Sequence, residues 1–165
     1  MDHRHISSRS SNDTRTQTAA LSVGVAFLLV GVLGSIPGFT TNYGEMEFAG
    51  HHSGALLLDV FAVSILHNIV HLLFGVVGLM LARMWSGARG YLIGGGVTYL
   101  LFWLYGLVIN TASAANFVPL NDADNWLHLG LGVGMFTLGV LFSGERRDAA
   151  TTRVPLTQPR QHEVF

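Results

Sequence analysis

Four long apolar segments limit the folds that this chain can adopt. They lie at about 19–36, 56–82, 90–109 and 123–142. Each has roughly the 18 to 25 apolar residues that an α-helix needs to cross about 30 Å of hydrocarbon. We therefore predict an all-α integral membrane protein, in which residues 19–143 form a bundle of four transmembrane helices.

The basic residues predict how this bundle is oriented. All nine are arginines outside the four segments: Arg4, Arg9, Arg15, Arg83, Arg89, Arg146, Arg147, Arg153 and Arg160. If every segment crosses the bilayer, all nine fall on one side, whereas the connections at 37–54 and 110–122 carry neither Lys nor Arg. Basic residues near a span resist translocation. We therefore expect a multi-pass protein of the plasma (inner) membrane with both termini in the cytoplasm.

Composition excludes several other classes of protein. Half of the residues are apolar and 12% are charged, too few charged groups to cover a water-soluble fold of this size. The net charge of −1, without a basic patch, gives no support for a nucleic-acid partner. The absence of cysteine excludes disulfides and thiolate metal sites. The polar ends at 1–18 and 144–165 are predicted to be disordered cytoplasmic tails.

Ionisable residues within two of the apolar segments are the main candidates for function. His67 and His71 are four residues apart in the second segment, and Asp124 and His128 have the same spacing in the fourth. Each pair therefore shares one face of its helix. Such groups face the interior of a membrane bundle and pair there, because hydrocarbon offers them no partners. We expect the four to meet between the second and fourth helices, in the outer half of the bilayer.

The residue types allow three interpretations of this polar centre. The first is a hydrogen-bonded network that joins the two helices and includes Asn68, Asn125 and Asp59. The second is a metal site. The third is a proton or ion relay, although the second segment offers almost only apolar residues between His71 and Arg83.

The metal interpretation takes His67, His71, His128 and Asp124 as ligands, because imidazole and carboxylate suit Zn, Fe or Cu. Asn68 and Asn125 would then orient the imidazoles. Asp124 can instead cap the fourth helix. Haem b is a further possibility, with His67 or His71 opposite His128 and with Gly75 and Gly132 leaving room for the flat ring.

Three stretches of sequence resemble a known family. They are SILHNIVHLLFG at 64–75, IPGF at 36–39 and NDADNWLHLG at 121–130. They resemble the DUF4383 family of small membrane proteins, found largely in actinobacteria, and the resemblance covers about 17–143. It implies a four-helix plasma-membrane protein but no activity, because the family name itself records none. The recurrent residues that it implies are His67, Asn68, His71, Asp124, Asn125, Trp126 and His128.

These observations predict a protein without a catalytic residue. No Ser or Thr nucleophile is convincingly placed beside a base. The expected role is a structural or partner-binding module in the lipid bilayer, with another membrane protein or a second copy of the chain as the partner. The alternative is a metal- or haem-binding protein that acts in redox chemistry or as a metal-dependent hydrolase.

Overall fold

The computed structural model of the chain describes residues 11–142. Its helices are α1 (Ser11–Leu33), α2 (Ile65–Leu81), α3 (Trp85–Val108) and α4 (Asp122–Leu141). Its strands are β1 (Thr40–Thr41), β2 (Leu56–Leu57) and β3 (Phe61–Ala62), and a short 3-10 helix lies at Tyr43–Glu45. The mostly helical fold agrees with the prediction. By length and composition, Asp13–Leu33 within α1 and the whole of α3 could each cross a membrane.

The first helix begins earlier than predicted. Residues 11–18 belong to the predicted disordered tail, but they form the start of α1. Asp13 in the first turn suits the positive end of the helix dipole. Gln17 Nε2 donates a hydrogen bond of 2.8 Å to the Arg83 carbonyl, and Thr16 is fully buried. Tertiary contacts therefore order a polar stretch that its composition alone suggests is disordered. The remaining tail predictions, at 1–10 and 144–165, lie outside the described residues.

The second helix begins later than predicted. Residues 56–62 form β2 and β3 instead of helix, with β2 paired antiparallel to β1 on one side and to β3 on the other. A tight turn joins β2 to β3, in which Val60 N donates to the Leu57 carbonyl at 3.1 Å. The helix starts only after Ser64, whose side chain accepts a hydrogen bond from His67 N. The predicted helix at 56–64 is therefore wrong.

The helices pack as two close pairs, α1 with α2 and α3 with α4. Glycines make this close approach possible. A Cβ added at Gly24 would lie 3.1 Å from the Gly75 carbonyl oxygen of α2, and one at Gly96 would lie 2.6 Å from the Phe136 nitrogen of α4. Contacts of α1 and α2 with α3 join the pairs, whereas α2 and α4 hardly touch. The two helices that carry the predicted polar residues therefore face each other across a gap.

The segment between α1 and α2, residues 34–64, covers one end of this gap. We call it the cap. Its buried residues Ala55, Leu57 and Val63 form a small core with Val30 and Leu33 of α1. The larger core lies among the helices and includes Phe27, Tyr91, Leu92, Tyr99 and Met135. The cap and the helices thus enclose space between the two cores.

Candidate functional site

A largely enclosed cavity of about 130 Å³ lies between the cap and the helices. Its wall is almost entirely apolar, and besides Tyr99 its ionisable side chains are His67, His71, Asp124 and His128. All four are buried. The structure thus brings together the residues that the two i, i+4 pairs predicted, although α2 and α4 do not pack against each other.

Two of the four side chains hold the backbone of one cap residue, Ala62. Asp124 Oδ2 accepts a hydrogen bond of 3.0 Å from Ala62 N. His67 Nδ1 lies 3.2 Å from the Ala62 carbonyl oxygen. A carbonyl oxygen can only accept, so His67 Nδ1 carries the proton and donates. We call this arrangement the Ala62 clamp, and it attaches the end of β3 to both α2 and α4.

Asp124 also closes the first turn of α4. Asn121 is the N-cap, and its side chain accepts from Asp124 N at 2.9 Å. Asp124 Oδ2 accepts in return from Asn121 N at 3.1 Å, which completes a capping box. The prediction that Asp124 is the N-cap of this helix is therefore wrong, because Asn121 is the cap residue and Asp124 completes the capping box from the third helical position.

His71 and His128 have different surroundings, which are mainly aromatic. The His71 ring stacks on His67 at 4.4 Å between centroids and on Phe27 at 5.7 Å. The His128 ring lies 5.2 Å from Tyr99 and 5.7 Å from Phe102. The Nδ1 atoms of both rings are buried and have no hydrogen-bond partner. The polar centre therefore contains two residues that hydrogen-bond to the backbone of Ala62, His67 and Asp124, and two residues whose Nδ1 atoms have no hydrogen-bond partner, His71 and His128.

The three residues predicted to extend the network do not reach the centre. Asn68 lies against Gly34 of the cap, and its Nδ2 is 4.0 Å from Met46 Sδ. Asn125 lies against Gly106 of α3. Asn68 follows His67 by one position, and Asn125 follows Asp124 by one position. Each asparagine side chain therefore points about 100° around the helix from the preceding residue, which lines the cavity. Asp59 lies in the exposed turn after β2, where it accepts from Thr41 Oγ1 at 3.0 Å. The network prediction is therefore wrong for these three.

Residues 17–141 match the family model described as Domain of unknown function (DUF4383). The chain belongs to the DUF4383 family. The match includes the cap, the cavity and nearly all of the four helices. No curated protein and no solved structure matches the chain significantly.

In this DUF4383 protein the predicted ligand set does not form a ready metal site. Within residues 11–142, no group of three or more His, Asp or Glu side chains is arranged to hold a metal ion. A physical reason is the Ala62 clamp, since His67 Nδ1 and Asp124 Oδ2 already bind a peptide group. A metal would have to use other atoms of these side chains or displace the cap.

The haem interpretation does not fit the glycines on which it depends. A Cβ at Gly75 would lie 2.7 Å from Leu28 and 2.8 Å from the Gly24 carbonyl oxygen, both on α1. A Cβ at Gly132 would lie 2.8 Å from Leu100 on α3. Both glycines therefore serve close packing within the helix pairs. They leave no slot for a macrocycle between α2 and α4.

Sequence reasoning missed several parts of this DUF4383 site. Asn121 and Asp124 have the spacing of a capping box, and this signal was readable from the sequence. Ala62 carried no such signal, because its role comes from backbone groups that a tertiary contact positions. The same is true of Phe27 and Tyr99, which line the cavity from α1 and α3 and are ordinary apolar-segment residues by sequence.

Proposed function

We propose that this DUF4383 protein crosses the plasma membrane four times, with both termini in the cytoplasm, and acts as a non-enzymatic structural or partner-binding module. One observation carries the membrane proposal: the surface of the helices is apolar while their interior holds histidine, asparagine and aspartate. Water-soluble folds have the opposite distribution. A bilayer is the solvent that suits this surface.

The exposed apolar side chains are distributed over all four helices. They include Leu21, Val25, Leu29 and Val32 of α1, Ile69, Leu73, Val76 and Met80 of α2, Val97, Leu101, Leu104 and Leu107 of α3, and Val133, Phe136, Val140 and Leu141 of α4. Leu73 and Leu101 are each 61% exposed. A surface of this size left in water would drive aggregation or association.

The shorter helices are compatible with four crossings. The 17 residues of α2 extend over about 26 Å at 1.5 Å per residue. The cap adds exposed apolar residues at Leu58 and Val60 beyond the start of this helix. The hydropathy of α4 is lowered by Asp122 and Asp124 in its first turn, which would lie near the headgroups. All nine arginines would then face the cytoplasm, as basic residues near spans do.

Single-cysteine labelling tests the orientation, and the cysteine-free parent provides a clean background. Ala112→Cys, in the exposed connection between α3 and α4, should react with a membrane-impermeant maleimide on intact cells. Ser86→Cys, exposed at the start of α3, should react only after lysis. The reverse labelling pattern, or equal labelling of both variants on intact cells, would refute the proposed topology.

The Ala62 clamp supports a structural role for the polar centre, because two of its four ionisable side chains hold the cap on the helices. The alternative function, a metal-dependent protein, is supported by the three imidazoles that line one cavity. Elemental analysis of natively loaded protein separates the two. We expect less than about a tenth of an equivalent of Zn, Fe or Cu. One equivalent that is lost in His71→Gln and in His128→Gln would establish the alternative instead.

A further inference from the structure

The size of the cavity limits what it can hold. A dry apolar cavity of about 150 Å³ in another protein accommodates benzene. The cavity here, of about 130 Å³, is close to that size and is lined by the rings of Phe27 and Tyr99. It therefore has room for one six-membered ring. Haem and other large planar cofactors are excluded on volume alone.

The polar groups in the wall limit the chemistry of that ring. His71 and His128 both line the cavity and are 8% and 5% exposed, and neither ring forms a hydrogen bond with the described residues. Neutral imidazole offers one donor and one acceptor, which suits a hydroxyl or carbonyl oxygen on the occupant. The apolar remainder of the wall disfavours a charged occupant.

Two residues of the cavity wall indicate the path by which a ligand would enter. Leu58 of the cap and Leu127 of α4 both line the cavity and are 57% and 41% exposed. The cavity therefore approaches the apolar outer surface of the molecule at these two residues. Leu58 has a φ of 52° and Asp59 a φ of 60°, a backbone conformation that is uncommon for such side chains and that recurs at ligand-binding segments.

We propose that this cavity binds a lipid-soluble molecule through a six-membered ring that bears a hydrogen-bonding oxygen. Phenols and quinone headgroups share this chemistry. His71 and His128 bond the oxygen, Phe27 and Tyr99 flank the ring, and Leu58 and Leu127 border the way in from the lipid. The inference rests on the proposed membrane location, because only there is the exposed edge of the cavity in contact with lipid.

Fluorine NMR of 4-fluorophenol tests the proposal directly, with the full chain in lipid nanodiscs and empty nanodiscs as the reference. We expect saturable binding that depends on the protein. Fluorobenzene, which lacks the hydroxyl, should bind about tenfold more weakly, the equivalent of one net hydrogen bond. Displacement by 2,6-dimethyl-1,4-benzoquinone would identify quinones as ligands, and retention of the fluorophenol would identify phenols. Partition equal to that into empty nanodiscs would overturn the proposal.

Two kinds of variant locate the binding. The double variant His71→Phe with His128→Phe should bind 4-fluorophenol about tenfold more weakly and should no longer distinguish it from fluorobenzene. Val30→Phe, which fills the cavity from α1, should abolish binding of both probes. His52→Gln is the matched control, because this histidine is exposed and outside the cavity wall. Unchanged affinity in both the double variant and Val30→Phe would refute the site.

Binding and topology can fail separately. If the cysteine labelling gives the expected orientation and the fluorine signal is absent, the inference alone is wrong. If the labelling pattern is reversed and 4-fluorophenol binds as expected, the proposed orientation alone is wrong. Val30→Phe keeps the binding test independent of the histidines, should the double variant fail to fold.

Discussion

Removal of the Asp124 carboxylate should detach the cap from the helices. In Asp124→Ala, Ala62 N and Asn121 N lose the oxygen that accepts from them at 3.0 and 3.1 Å. Each buried N–H without a partner costs about 1 to 3 kcal/mol. Relief of the cost of burying the carboxylate offsets part of this loss. We therefore expect the free energy of unfolding to fall by about 2 to 4 kcal/mol.

Two matched variants separate the clamp from a general effect of charge. Asp124→Asn keeps one oxygen that can accept from both N–H groups, as Oδ2 does. A neutral acceptor forms hydrogen bonds about half as strong as those of a carboxylate, so the loss should be about half as large. Asp122→Ala removes a neighbouring carboxylate that is exposed in the same helical turn. Its loss should stay below about 0.5 kcal/mol.

Reversible denaturant unfolding in detergent gives these free energies, and amide hydrogen exchange reports on the cap itself. Protection of the Ala62 amide should fall sharply in Asp124→Ala and remain near the parent value in Asp122→Ala. The reasoning is refuted if Asp124→Ala and Asp122→Ala unfold at the same denaturant concentration and exchange the Ala62 amide equally fast.

Three further predictions test the packing, the turn and the division of the histidines. Gly96→Ala places a Cβ 2.6 Å from the backbone of α4 and should destabilise the protein by about 1 to 3 kcal/mol, whereas Gly94→Ala meets open space and should not lower the melting temperature. Asp59→Gly should raise the free energy of unfolding by about 0.5 to 1 kcal/mol, because glycine adopts a φ of 60° without strain; a loss would show that the hydrogen bond from Thr41 matters more. His67→Phe leaves the Ala62 carbonyl without its donor and should lower the free energy of unfolding by about 1 to 3 kcal/mol. His128→Phe breaks no Nδ1 hydrogen bond and should leave the melting temperature of the ligand-free protein within a few degrees of the parent value. Equal losses in the two variants would contradict the assigned roles.

The helices were predictable wherever apolar length alone identifies them. The third and fourth segments were predicted at 90–109 and 123–142, and α3 and α4 end within one residue of those limits, although α3 begins five residues earlier than predicted, at Trp85. The second segment was predicted less well because a short apolar run fits a strand and a helix equally. Ser64, three residues before His67, was a helix-start signal that favoured the later beginning.

The candidate site was predictable in membership but not in the roles of its members. The i, i+4 spacing fixes the helix face of each pair, so His67, His71, Asp124 and His128 could be expected to meet. Their partners depend on the return of the cap, which brings the Ala62 peptide between His67 and Asp124. Helical periodicity contains no information about such a contact. His71 and His128 lack a hydrogen-bond partner for the same reason, because the Ala62 peptide binds only His67 and Asp124.

The clamp and the proposed ligand act on the same element, because the cap residues Leu57, Leu58, Phe61 and Val63 form part of the cavity wall. A ligand that binds only the closed cap stabilises the folded protein by about 2.7 kcal/mol at a concentration of one hundred times its Kd. This gain is similar to the loss of about 2 to 4 kcal/mol in the free energy of unfolding that we expect in Asp124→Ala. Saturating 4-fluorophenol should therefore restore most of the Ala62 protection that Asp124→Ala loses. It should restore none when Val30→Phe is combined with Asp124→Ala, and recovery in that combination would separate the cap from the cavity.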